Sequence, residues 1–163
     1  MEIRKEGWKI IINENEIGEA LKWRIVNELR KRPVLARFLF YIFLNEPCTI
    51  TELTRFATGL EKTIYHRRQV QRFVNKLKEL NLVSWITPRD FMNSDCNNEL
   101  YLKAKEKYNE LIRRSVNLDR ILNKIKLTRF VFVTEYGKNF FDVVKSIIHE
   151  HFGGKIKIEK VRE

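Results

Sequence analysis

Cysteine is close to absent from this chain. Cys48 and Cys96 are the only two in 163 residues, and they stand far apart, at no metal-like spacing. Two cysteines make no disulfide framework at this length, so reduced thiols are expected. Histidine is nearly as scarce, with His66, His149 and His151 the whole set. On a helix His149 and His151 point to different sides, a poor metal pair, and His66 falls toward an apolar edge where packing is expected. No metal or other cofactor is expected. Long apolar runs are missing too: the most apolar stretch, 34–44, is 11 residues interrupted by Arg37 and cannot span a bilayer. The segment from Met1 to Lys9 is mixed and charged, with no apolar run after it of signal-peptide length. A cytoplasmic protein with no membrane partner is the expectation. There is no Gly-rich phosphate loop, paired-carboxylate motif or Ser/His/Asp grouping, which argues against an enzyme. Asp90, Asp95 and Glu99 share one polar loop, but loops draw Asp for turn chemistry.

Positive charge is what the chain has in excess. Lys and Arg number 32 against 21 Asp and Glu, a net +11. A balance of that size favours a polyanionic partner, nucleic acid or an acidic surface. The hydrophobic fraction, 44%, is enough for a real core, and no repeat, low-complexity tract or linker divides the 1–163 span.

Periodicity predicts a mostly α chain with a small β component. A strand is expected over 8–12 and a helix over 17–30, with Ile17, Ala20, Leu21, Ile25, Val26 and Leu29 as a broad apolar face. Pro33 opens a buried helix to Leu44. Thr49 and Glu52 have capping-box spacing, Thr51 is an equally good cap, and a short helix over 51–57 is expected to stop at Gly59. Strands follow at 82–86 and 128–133, with a polar loop over 89–98 and a helix over 99–126 between them. That helix carries a heptad-like seam of Ala104, Tyr108, Leu111, Leu118, Leu122 and Ile125, interrupted by Ser115. The seam suits a dimer contact, or packing on helix 17–30 or 137–151. A last helix over 137–151 and a strand over 155–161, the latter a partner for 8–12, complete the chain.

The most informative segment is 65–80. Read as a helix, it places Val70, Phe73, Val74, Leu77 and Leu80 in one apolar stripe. Opposite lie Tyr65, Arg68, Arg72 and Asn75, flanked by Arg67, Gln69, Gln71 and Lys76. Arg pairs bidentately with guanine, and Asn or Gln with adenine, so such a front suits the DNA major groove. An ordinary solvated face has the same composition.

The order of these segments resembles a winged helix-turn-helix DNA-binding domain. Lys76-Leu-Lys-Glu-Leu-Asn-Leu-Val83 resembles the exit of its recognition helix into the wing, with Asn81 where Gly is usual, a mild departure because Asn tolerates the left-handed region. Phe132-Val-Thr-Glu-Tyr-Gly-Lys138 is similar to a segment of MarR-like regulators in which the last wing strand runs into a C-terminal helix. The resemblance implies a core of 33–87 plus 128–151, an added N-terminal helix, terminal strands at 8–12 and 155–161, and a helical insertion, 99–126, within the wing. It implies that Thr51 and Arg55 brace on phosphates and that Arg68, Arg72, Asn75 and Gln71 read bases. Lys62, Arg67, Gln69 and Lys76 would then lie along the backbone, with Arg89 as a wing contact. Double-stranded DNA and a second copy of the chain are the implied partners, and transcription regulation the implied role. An interaction module, or a replication or partition protein, is the alternative. A small-molecule effector occurs among MarR-like proteins, but no residue pattern here supports one.

Overall fold

The structure, a computed structural model, describes residues 2–5, 8–11, 14–92, 98–114 and 127–152, with side chains over 18–91, 98–114 and 127–151. Its elements are β1 (Glu2–Lys5), β2 (Trp8–Ile11), α1 (Glu14–Lys31), α2 (Pro33–Asn45), α3 (Ile50–Glu61), α4 (Arg67–Glu79) and β3 (Val83–Ile86). There follow α5 (Pro88–Met92), α6 (Glu99–Arg114), β4 (Phe130–Val133), α7 (Glu135–Lys138) and α8 (Phe141–Phe152). The described residues are mostly helical, with two small antiparallel sheets, β1–β2 and β3–β4.

The centre is α2. Pro33 sits in its first turn, where a missing N–H costs nothing. Glu46, held extended ahead of Pro47, ends it. Leu35, Ala36 and every residue from Phe38 to Ile42 are buried, each large side chain contributing about 1.5–3 kcal/mol. Around it pack α1, α3, α4, α8 and β4. Phe38 meets the rings of Tyr41, Tyr65 and Phe73 at 5.4, 5.3 and 5.0 Å.

Thr49, not Thr51, caps α3: its side chain accepts from Glu52 N, and Glu52 accepts from Thr49 N. The helix runs through Gly59 to Glu61, longer than the expected 51–57. A helical glycine costs only about 1 kcal/mol, and packing of Leu53, Ala57 and Leu60 on the core outweighs it. The left-handed stop is Lys62, φ 54°.

β3 and β4 pair antiparallel from Val83↔Val133 to Ile86↔Phe130, so the expected strands at 82–86 and 128–133 are partners. Cys48 adds a third strand position, exchanging backbone hydrogen bonds with Val131 at 3.0 and 2.8 Å. Asn81 takes the left-handed conformation, φ 61°, that turns α4 into β3.

Several expectations are corrected. Helix α1 begins at Glu14; among its described side chains, 18–31, Ile25, Val26 and Leu29 are buried while Ala20, Leu21 and Trp23 are exposed, a narrower apolar face than expected, and the side chain of Ile17 lies outside the described residues. Strand β2 pairs with β1, and the expected strand over 155–161 lies outside the described residues, as do 93–97 and 115–126. Pro88 opens α5 inside the supposed loop, with Asp90 accepting from Thr87 N at 2.7 Å. The C-terminal helix is two, α7 and α8. On α6, Ala104 and Tyr108 are buried against Ile86, Phe91 and Phe130, inside the chain rather than at a dimer contact, and on neither of the helices expected to receive them. Leu111 is 36% exposed; Leu118, Leu122 and Ile125 lie outside the described residues.

Candidate nucleic-acid interface

Helix α4 keeps its two faces. Val70, Val74 and Leu77 are fully buried, and Phe73 packs against the same core. Arg68, Gln69, Arg72 and Asn75 are exposed on the other side, with Arg67 and Gln71 on one flank and Lys76 on the other. Among the described residues no carboxylate pairs with Arg67, Arg68 or Arg72; Lys76 reaches Glu79 at 3.5 Å, an exposed pair of little energetic weight. Gln71 Nε2 donates to Asn75 Oδ1 at 2.8 Å. This links the two amides and sets their relative orientation.

Tyr65 does not belong to this front. It precedes the helix, and its hydroxyl donates to Glu61 Oε1 at 2.8 Å and accepts from an Arg37 Nη at 3.2 Å. Glu61 also accepts from Tyr41 OH at 2.6 Å and from Arg37 Nε at 3.2 Å. This half-buried network ties α2 to the turn between α3 and α4 and fixes where α4 begins. Periodicity does not reveal this position, because residue 65 still fits the helical wheel. His66, next to it, is exposed at the helix N-cap rather than packed. Lys62 is exposed in the same turn.

Burial, and next its bond to Glu61, holds the Tyr41 hydroxyl far above a phenol's ordinary value. Burial likewise raises Tyr65 and pushes the Cys48 thiol up to about 12. Unfolding returns these groups to ordinary values of 10.0 for tyrosine and 9.0 for cysteine, so above those values the folded state holds more protons. Their contribution to stability is therefore complete below about pH 9 and declines as pH rises beyond it. Melting temperatures are expected to fall from about pH 9 upward, and less steeply for Tyr41→Phe. An identical alkaline slope in that variant would remove Tyr41 from the account.

Beside α4 lies a groove of about 840 Å³. Thr49 to Glu52 and Arg55 of α3, Arg67 and Gln71 of α4, and Lys107, Glu110 and Arg114 of α6 line it, with 127–129 ahead of β4. The lining holds five basic and two acidic side chains. Thus Thr51, Arg55, Arg67 and Gln71 come together in one lining, while Arg89, exposed on α5, is not part of it. Lys107, Arg114 and Arg129 were not anticipated. Nothing local marks them; the only hint was the Arg113-Arg114 pair. Further along, Trp85 of β3 lies beneath two cations, Lys78 at 3.8 Å and Arg129 at 4.5 Å from the ring.

Among the described residues no helix is long and apolar enough to cross a membrane, and no group of three or more His, Cys, Asp or Glu is placed to hold a metal. No protein-family model, curated protein or solved structure matches the chain.

Proposed function

We propose that this chain is a winged helix-turn-helix protein, MarR-like in outline, that binds double-stranded DNA by sequence and regulates transcription in the cytoplasm. In this reading α3 and α4 are the helix-turn-helix, β3 and β4 the wing strands, and α5 and α6 an insertion at the wing tip. The third strand position at Cys48 and the left-handed Asn81 support it. A homodimer, with two α4 helices about one DNA turn apart, belongs to the same proposal. No enzymatic activity is assigned.

One observation carries the reading: Arg68 and Arg72 project without carboxylate partners, among the described residues, from a helix whose opposite face packs on the core through Val70, Phe73, Val74 and Leu77. One helical turn separates them, about 6 Å along the axis, close to two base-pair steps at about 3.4 Å each. Arg68→Ala and Arg72→Ala are each expected to cost about 1–3 kcal/mol on a preferred duplex and to relax specificity, while Lys76→Ala weakens all sequences alike. Equal losses on every sequence from all three variants would remove the readout assignment.

A protein-interaction module, or a replication or partition protein, is the second reading. The exposed Leu21 and Trp23 of α1, 49% and 59% accessible, favour a protein contact. Binding without salt dependence would support the interaction module.

A further inference from the structure

We propose that the groove between α3, α4 and α6 seats one phosphodiester strand of the duplex, so that the inserted helix makes the backbone contact of a wing. This rests on the DNA reading above and adds a second contact to it. With α4 in a major groove, a strand bounding that groove must run along a flank of the helix. The flank bearing Arg67 and Gln71 opens on the groove. Arg55, Arg67 and Arg114 reach it from three different helices, and among the described residues none has a carboxylate partner. Of the two lining carboxylates, Glu52 is already engaged by Lys107 at 3.0 Å. Five cations against two carboxylates, Glu52 and Glu110, leave the lining net positive, set for a row of phosphates, which a single strand presents about every 3.4 Å.

The far wall is held in place. Lys107 Nζ donates to the Pro47 carbonyl at 2.6 Å as well as pairing with Glu52, and Ala104 and Tyr108 lock α6 onto the wing strands. Arg129 is steadied over Trp85 at the end of the groove nearest β4. A fixed wall loses little freedom when a strand docks, which favours a preformed backbone site over one ordered by binding.

The test is anisotropy titration of the full chain with a labelled mixed-sequence duplex, and with one of its single strands, across a salt series. Variants are Arg114→Ala with Arg129→Ala, and the distant pair Arg30→Ala with Lys31→Ala, which removes equal charge. Circular dichroism melts confirm folding. The groove pair is expected to bind every duplex several-fold more weakly, its log K against log salt slope shallower by roughly one unit per side chain removed. The distant pair should change neither. Wild-type binding with equal effects from both pairs would overturn the groove and leave α4 standing. Wild-type preference for the single strand would also overturn it. No binding to duplex at any salt would overturn both the groove and the DNA reading, as would capture of an acidic peptide instead of DNA.

Discussion

Glu61→Ala is expected to remove about 3–5 kcal/mol of folding stability, the range for breaking a buried ion pair from one side. Its carboxylate is only 10% exposed and serves three groups at once: Arg37, at 3.2 Å in the ion pair, and the hydroxyls of Tyr41 and Tyr65. Glu61→Gln keeps the shape and an accepting oxygen and should fall between the two. Tyr65→Phe, which removes one donor, should cost about 1 kcal/mol. Urea unfolding at neutral pH measures all three. The consequence extends beyond stability, because Tyr65 fixes the approach to α4, where Arg67 and Arg68 stand. A loss below about 1 kcal/mol for Glu61→Ala would mean that the network does not set the turn.

Gly137→Ala is expected to destabilise by about 3 kcal/mol. On a helix open to solvent the same change would usually stabilise by up to about 1 kcal/mol, so the sign decides the matter. A Cβ at 137 would overlap the Leu82 carbonyl oxygen and come within 2.9 Å of Val133 Cγ1. The carbonyl cannot turn aside, since it accepts from Thr134 N at 3.0 Å. Thermal melts of Gly137→Ala and Gly137→Ser should fall together. An unchanged or raised melting temperature would show that α7 does not press on β3.

This also explains the Thr-x-x-Gly similarity in physical terms. Thr134 Oγ1 accepts from Gly137 N at 2.9 Å, capping α7, and donates to the Asn81 carbonyl at 2.8 Å. The glycine then lets the α7 backbone close on the end of β3. Thr134 was legible because a helix cap is a local demand; the close approach of Gly137 to Leu82 was not, since it joins distant segments. Asn81, Pro33 and the Thr49–Glu52 box were legible for the same reason as Thr134.

What the sequence did not show depends on contacts between distant segments. Gly59 looked like a helix stop until Leu60 and Ala57 packed on the core. Tyr65 matched the wheel of α4, but Glu61 and Arg37 hold it elsewhere. Leu21 of α1 fits an amphipathic pattern yet is 49% exposed, while Ile25, Val26 and Leu29 are buried in the core. The α6 seam promised a partner helix, but Ala104 and Tyr108 meet Ile86 of β3, Phe91 of α5 and Phe130 of β4 instead. The groove is the strongest case. Its basic residues come from 55, 67, 107, 114 and 129, scattered over three helices and the lead into β4.

The central claim is that α4 reads base sequence. It is tested most directly by selection from a randomised duplex pool with the wild-type chain and with Arg68→Ala plus Arg72→Ala, followed by sequencing of the bound fraction. The account predicts that wild type enriches a defined motif with guanine at two positions close together, and that the double variant loses preference at those positions while still retaining duplexes at low salt. A bound pool as random as the input, or a motif that survives the double substitution unchanged, would contradict it.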